Sequence, residues 1–325
     1  MASSPSGLIH RLFGLEMASA FPFVSRLGAG TGPPDLTFAC GREAPPGAAA
    51  QVGPPVYASP ERTPQGESLT YLFRRPGCDL LRFSEVADFH LADDRVDCHL
   101  LDPRYEFLVE LRLLGPVLAY WLERRALPAL HASAVVVDGR AAAFLAGRCA
   151  GKSVLAAALM TAGHPLLADD LLAVEPAPAG CFLGRPGYPQ MRLEPDAADR
   201  FLGGRHTLPR VHPDYAKRRV PVGPDGLGAF AALSHPLAAV YLPERLDGAD
   251  GDRVRIAPLA PRDAVIELTR RSFIPRLAAA AGWQARRLET FSRLAERVPL
   301  RRLLYPAGFE QLPRVRDAVL ADLAG

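Results

Sequence analysis

The sequence predicts a mixed α/β chain in two parts, a small, mostly β N-terminal half at 1–126 and an α/β half at 127–325. Three observations lead to that expectation. Between residues 35 and 102 the chain falls into short alternating apolar and polar segments separated by turn residues. From Leu127 onward strand-like and helix-like patterns alternate. Within that second half, a Gly-Lys-Ser stands between a strand pattern and a helix pattern, in "HASAVVVDGRAAAFLAGRCAGKSVLAAALMTAGHPLLADDLLAV", residues 131–174.

The elements follow in order. The opening stretch "MASSPSGLIHRLFGLEMASAFPF" reads as a β-strand entering the fold, with a transit peptide as the alternative; it lacks the apolar core of a secretory signal. Residues 41–68 are rich in Pro, Gly and Ala and read as a loop or linker. The segments "DLTFAC", "LTYLFRR", "DLLRFS", "DFHLAD" and "RVDCHLLD" read as strands. "YEFLVELRLLGPVLAYWLERR" carries apolar residues at helical spacing, and Pro116 either starts a second helix or bends a single one. "HASAVVVDGRAAAFLA" reads as two strands joined by Asp138-Gly139, a two-residue hairpin signal. "GKSVLAAALMTAG" reads as a helix ended by Gly163, and "PLLADDLLAV" as a strand bearing the acidic pair Asp169-Asp170. A strand near "LAAVYLP", helices at "PRDAVIELTRR" and "GWQARRLETFSRLAERV", a strand at "LRRLLYP" and a closing helix "EQLPRVRDAVLADL" complete the chain.

Composition excludes several classes. Of 325 residues, 49% are hydrophobic and 22% charged, as in an ordinary globular protein, and the net charge is only +3. That balance points to neither nucleic acid nor a membrane surface as a partner. No apolar run reaches the roughly 18 residues of a membrane span. Cys40, Cys78, Cys98, Cys149 and Cys181 are scattered without a C-x-x-C pair, which suits a reducing cytoplasm and argues against a zinc site or a disulfide framework. A cytoplasmic protein is expected.

The chemistry resides in "AGRCAGKSV": Ala146, Gly147, Arg148, Cys149, Ala150, Gly151, Lys152, Ser153 and Val154. Small residues let backbone N–H groups close around phosphate oxygens, and the following helix presents its positive end to an anion. Lys152 is placed to reach the β- and γ-phosphates, and the Ser153 hydroxyl to ligate Mg²⁺. The pattern departs from the usual P-loop at Ala146 and Cys149, where Gly is common.

Asp169 and Asp170 sit inside an apolar run, where carboxylates are costly to bury without a positive partner. An exposed edge strand would host them harmlessly. As neighbours on a strand they would point to opposite faces and could divide two tasks. One would hold Mg²⁺, and the other would accept the proton of an attacking hydroxyl. His131 opens the hairpin strand that leads into the loop; a lone His is more often structural.

The stretch "LHASAVVVDGRAAAFLAGRCAGKS…AGHPLLADD" resembles the C-terminal kinase domain of HPr kinase/phosphorylase and its shorter HPr-kinase-like relatives. These share a fold with phosphoenolpyruvate carboxykinase, which presents His, P-loop and Asp-Asp in the same order. "PLAAVY" and "VPLRRLLYPAGFEQLP" look like the shorter relatives, some of which phosphorylate lasso-peptide precursors. The resemblance implies an ATP- and Mg²⁺-dependent kinase acting on serine in a protein or peptide, either an HPr-like protein or a ribosomal precursor peptide. It implies phosphate and metal roles for Lys152 and Ser153. It makes Asp169 the base with His131 beside it, and Asp170 the metal ligand. A homo-oligomer is allowed. The "LEIRG"-type signature of the bifunctional enzyme is missing; "GYPQMRLEPD" stands in its place, with Arg192 and Glu194 as candidate substitutes, so the phosphorylase half is not implied. Lys217, Arg218 and Arg219 in "HPDYAKRRVPV" read as a solvated basic loop, with closure over the γ-phosphate as the alternative. A small-molecule kinase and a nucleotide-binding regulatory protein are the rival readings.

Overall fold

The computed structural model describes residues 7–44, 53–147, 150–204, 207–246 and 253–325. Arg148 and Cys149 of the expected phosphate loop, and the middle of the Pro/Gly-rich segment, lie outside the described residues. The chain divides into two compact units. One comprises Met1–Arg125 with Ile274–Gln284, the other Ala126–Phe273 with Ala285–Gly325. Among the described residues no helix is long and apolar enough to cross a membrane.

The first unit is built on a nine-stranded sheet. An N-terminal hairpin, Leu8–Leu12 with Leu15–Ser19, joins it through Leu36–Gly41, which pairs in parallel with Arg95–Leu100. The strands Ala87–Leu91, Asp79–Phe83 and Thr70–Phe73 follow as an antiparallel meander. The Pro/Gly-rich segment is not wholly loop, because Tyr57–Ala58 forms the outermost strand against Thr70–Phe73. The two helices Glu106–Arg112 and Leu118–Arg124 are separated by one wide turn, Leu113–Val117, in which Gly115 leaves helical geometry and Pro116 supplies no N–H. Pro116 therefore marks a break between two helical stretches.

The second unit is a mixed sheet with helices on both faces. The strands Ala132–Val137 and Arg140–Leu145 form the expected hairpin in the register Val137↔Arg140. Asp138 (φ +47°) and Gly139 (φ +76°) both take positive φ, as a type I′ turn requires. Along this half of the sheet the order is Leu166–Ala168, Ala132–Val137, Arg140–Leu145, His235–Leu246 and Leu300–Pro306. The last three run parallel, so their C-terminal ends leave the sheet on one edge. Alternation sorts the hairpin side chains. Val135, Val137, Ala142 and Phe144 pack with the helices Lys152–Met160 and Leu312–Ala324. Ala134, Val136, Ala143 and Leu145 pack with Pro261–Arg270 and Gln284–Arg297. Both faces are covered, which explains why these strands read as unbroken apolar runs.

Two local expectations are corrected. "PLLADDLLAV" is two strands, Leu166–Ala168 and Leu172–Pro176, pairing with different partners. The break falls on Asp170, whose φ is +70°, and the Leu171 N–H closes a tight turn onto the Asp169 carbonyl at 2.9 Å. The basic segment around residue 217 is also not a loop. Arg210–His212 and Tyr215–Pro221 form a hairpin, and the second strand pairs with Gln190–Leu193.

Candidate active site

The strand Arg140–Leu145 delivers the chain to Ala146, which is buried, and then to Gly147. Ala150 and Gly151 lead into the helix Lys152–Met160. Gly151 caps that helix at φ +88°, a conformation that side chains resist, so glycine is required at this turn. The N–H groups of Lys152, Ser153 and Val154 begin the helix without intrahelical partners, while the Val154 side chain packs into the core. Lys152 points inward and is only 7% exposed. Its Nζ donates to the Gly147 carbonyl at 2.8 Å, and among the described residues it forms no ion pair. Burial lowers its pKa from the ordinary lysine value, and the Asp169 and Asp170 charges oppose that shift. A buried ammonium at a helix N-terminus, with no carboxylate in contact among the described residues, has the charge and geometry to meet an anion.

Asp169 is the hub of the next layer. Its Oδ1 accepts from Ser133 Oγ at 2.6 Å and from Ser153 Oγ at 2.8 Å, and its Oδ2 accepts from the Arg192 N–H at 2.8 Å. Asp169 is 7% exposed, so these donors take the place of water. Each donor comes from a different element: the hairpin strand, the helix Lys152–Met160 and the strand Gln190–Leu193.

Asp170 faces a different group. Its Oδ2 pairs with Arg192 Nη1 at 2.7 Å, and Arg192 Nη2 donates to Tyr188 Oη at 3.3 Å. His131 Nδ1 lies 3.0 Å from the Asp170 carbonyl oxygen and 3.4 Å from its Oδ1. The carbonyl only accepts, so Nδ1 carries the hydrogen and Nε2 is left as the basic nitrogen of a neutral ring. The ring stands edge-on to Phe273, 5.6 Å between centroids. Burial, with the Lys152 charge, holds the His131 pKa below the ordinary value against the pull of Asp170. Burial works against ionised Asp170, but Arg192, His131, Lys217 and Lys152 together keep its pKa below the usual carboxylate range. Burial likewise opposes the Arg192 charge, and Tyr188 and Asp170 nonetheless raise its pKa. The positive φ at Asp170 turns the two neighbouring carboxylates toward these separate partners, a strained conformation of the kind found at functional sites.

The expected residues are thus brought together, but in different pairs. Ser153 meets Asp169, not Asp170, and His131 meets Asp170, not Asp169. Of the two candidate substitutes in "GYPQMRLEPD", Arg192 enters the site, whereas Glu194 is exposed where the helix Pro195–Leu202 begins. Lys217, on the hairpin beside Arg192, acts electrostatically on both Asp170 and Lys152, while Arg219 is buried. A signal for Lys217 was present in the composition. Lys152 and Lys217 are the only lysines in a chain with 38 basic residues, and both belong to this cluster.

The donor set suits Mg²⁺. A hydroxyl and a carboxylate, Ser153 and Asp169, lie together at the start of the helix Lys152–Met160. Among the described residues no three His, Cys, Asp or Glu side chains converge into an all-protein cage. Mg²⁺ characteristically takes one or two protein ligands and fills its shell with water and phosphate oxygens.

No family model matches the chain, and no curated protein matches it. Among solved structures it is similar to the Hpr(Ser) kinase/phosphatase from Coxiella burnetii, at 14% identity over 60% of this chain and 97% of that chain, with a TM-score of 0.32. At that identity and score the likeness assigns no activity and no residue to this chain.

Proposed function

We propose that the chain is an ATP-dependent phosphotransferase whose acceptor is a serine hydroxyl on a protein or peptide. The observation that carries this reading is Lys152, a buried ammonium with no carboxylate partner among the described residues, set behind a left-handed glycine at a helix N-terminus. Beside it stands a hydroxyl–carboxylate pair, and beyond that a second carboxylate with a neutral imidazole. An anion-binding loop, a metal side and a proton-accepting side are the parts that phosphoryl transfer needs.

Loop N–H groups and Lys152 bind the phosphates and neutralise charge. Ser153 and Asp169 would hold Mg²⁺, which when bound lowers the repulsion between nucleophile and phosphate by drawing charge onto itself. Asp170, fixed by Arg192, receives the acceptor hydroxyl, and His131 Nε2 lies in the same group. As the acceptor oxygen forms its bond to the γ-phosphorus, the bond from that phosphorus to the bridging oxygen breaks and ADP leaves. The hydroxyl proton passes to Asp170. This division of the aspartates reverses the one implied by the family resemblance, and the Ser153–Asp169 and Arg192–Asp170 contacts are what support it. The choice of serine rests on the resemblance of residues 127–174.

The test is incubation of the full chain with γ-labelled ATP, Mg²⁺ and an extract of its own organism. Label in a discrete polypeptide at an acid-stable, base-labile position is the expected result. Label confined to small molecules would replace the protein acceptor with a metabolite. No ADP above the level of Lys152→Ala would leave a binding protein.

A further inference from the structure

The phosphate loop has two flanks. The hairpin strand Ala132–Val137 and the chain break at Asp169-Asp170 lie on one side. On the other lie the strands His235–Leu246 and Leu300–Pro306, parallel to the strand that enters the loop and in the register Arg245↔Tyr305 near their C-terminal ends. Parallel strands deliver their last residues to the edge where ligands bind. Here those residues close over the glycine of the loop. A Cβ placed on Gly151 would lie 2.6 Å from Tyr305 Oη and 3.1 Å from Arg245 Nη2. Tyr305 is 3% exposed, and Arg245 Nε lies 3.5 Å from its hydroxyl.

Neighbouring arginines have carboxylate partners. Arg301 pairs with Asp322, Arg302 with Glu244 at 3.9 Å, and Arg271, which approaches Gly147, is held by Glu267 at 2.5 Å. Arg245 has no carboxylate partner among the described residues; its one polar contact is the Tyr305 hydroxyl. A guanidinium with no counter-ion among the described residues, steadied against the anion-binding turn, presents a fork suited to two phosphate oxygens.

We propose that Arg245, positioned by Tyr305, is a further phosphate-binding residue of this site and grips the phosphates that are not transferred. The inference rests on the nucleotide reading above. The placement follows from the flanks: the metal side at Ser153–Asp169 and the acceptor side at Asp170–His131 both lie away from Arg245, which leaves it the departing diphosphate. Contact with that group is kept in the ground state and in the transition state, so its loss appears in KM rather than in kcat.

The experiment is calorimetry with ADP and with inorganic pyrophosphate on the full chain, alongside ATP kinetics, for Arg245→Ala, Arg245→Lys, Tyr305→Phe and Lys152→Ala. Loss of one charge-assisted contact should weaken ADP and pyrophosphate about ten- to a hundredfold in Arg245→Ala and raise the KM for ATP by a similar factor. Arg245→Lys should recover part of the loss, and Tyr305→Phe should lose a few-fold. A merely structural arginine would lower the melting temperature without separating KM from kcat. Wild-type ADP affinity in Arg245→Ala, with binding lost in Lys152→Ala, overturns the role of Arg245 and leaves the nucleotide reading standing. A fall in kcat at constant KM overturns the placement on the departing phosphates. Failure of the wild-type chain to bind ADP or ATP overturns both.

Discussion

Replacing Asp169 with asparagine sets an amide where only acceptor atoms serve. The carboxylate now takes two hydroxyl donors on Oδ1 and one backbone N–H on Oδ2, in a position 7% exposed. If the amide oxygen stays with Ser133 and Ser153, the amide nitrogen faces the Arg192 N–H, donor against donor. If the amide turns over, the Arg192 N–H is kept and both hydroxyls must rotate to accept. Either way three charge-assisted hydrogen bonds become neutral or are lost. The difference between the two kinds is about 1 kcal/mol per bond, or about 3 kcal/mol in all. Relief of a buried charge offsets part of that, leaving a net loss of about 1–3 kcal/mol. Hydrogen exchange reads the change locally, since the Arg192 amide should exchange faster while strands away from the site keep their protection. Calorimetry reads the functional side, where ATP affinity should lose most of its dependence on Mg²⁺. Unchanged protection at Arg192 together with unchanged Mg²⁺ dependence would refute both the network and the metal role.

Two further outcomes are expected. Asp170→Asn should depress transfer by roughly 10²–10⁴-fold while MgATP still binds, because a proton acceptor is removed and Ser153–Asp169 is untouched; weakened MgATP binding with turnover at saturating MgATP retained would restore the reverse division of the pair. In the first unit, burial lowers the pKa values of His10 and His90, and the Nε2 atoms of both are buried with no hydrogen-bond partner among the described residues. The unfolded chain takes up those protons near the ordinary histidine value of 6.5 and the folded chain only below it, so stability falls as pH drops through about 6.5. Chemical unfolding between about pH 7 and 5 should show a smaller acid loss in the His10→Gln, His90→Gln double variant than in the wild type; identical profiles would show that neither histidine is held neutral.

The readable parts of the site were those written locally. Asp138-Gly139 encodes its turn in two residues, and Gly151-Lys152-Ser153 encodes a loop followed by a helix. The break at Asp169-Asp170 was not legible, because apolar residues flank it on both sides whether the chain runs straight or turns. A positive φ at an aspartate leaves no mark in the pattern. The hairpin carrying Lys217 was hidden by Pro213, Pro221 and a run of charge, all of which resemble a loop. Arg245 and Tyr305 were missed for a different reason. They reach Gly151 only through parallel strand pairing, which long crossovers create and no local period records. The grouping of Ile274–Gln284 with the first unit is likewise a non-local outcome.

The central claim is that the loop at Gly147–Ser153 binds a nucleotide's phosphates through a buried Lys152 that touches no carboxylate among the described residues. Titration of MgATP into the full chain and into Lys152→Ala, with the melting temperature of each, tests it most directly. The wild type should bind. The variant should bind at least about tenfold more weakly, in keeping with about 1.5–3 kcal/mol for a charge-assisted contact. It should also melt no lower than the wild type, because a buried ammonium with no carboxylate in contact among the described residues has been removed. Equal affinities, or a wild-type chain that binds no nucleotide, would contradict the account.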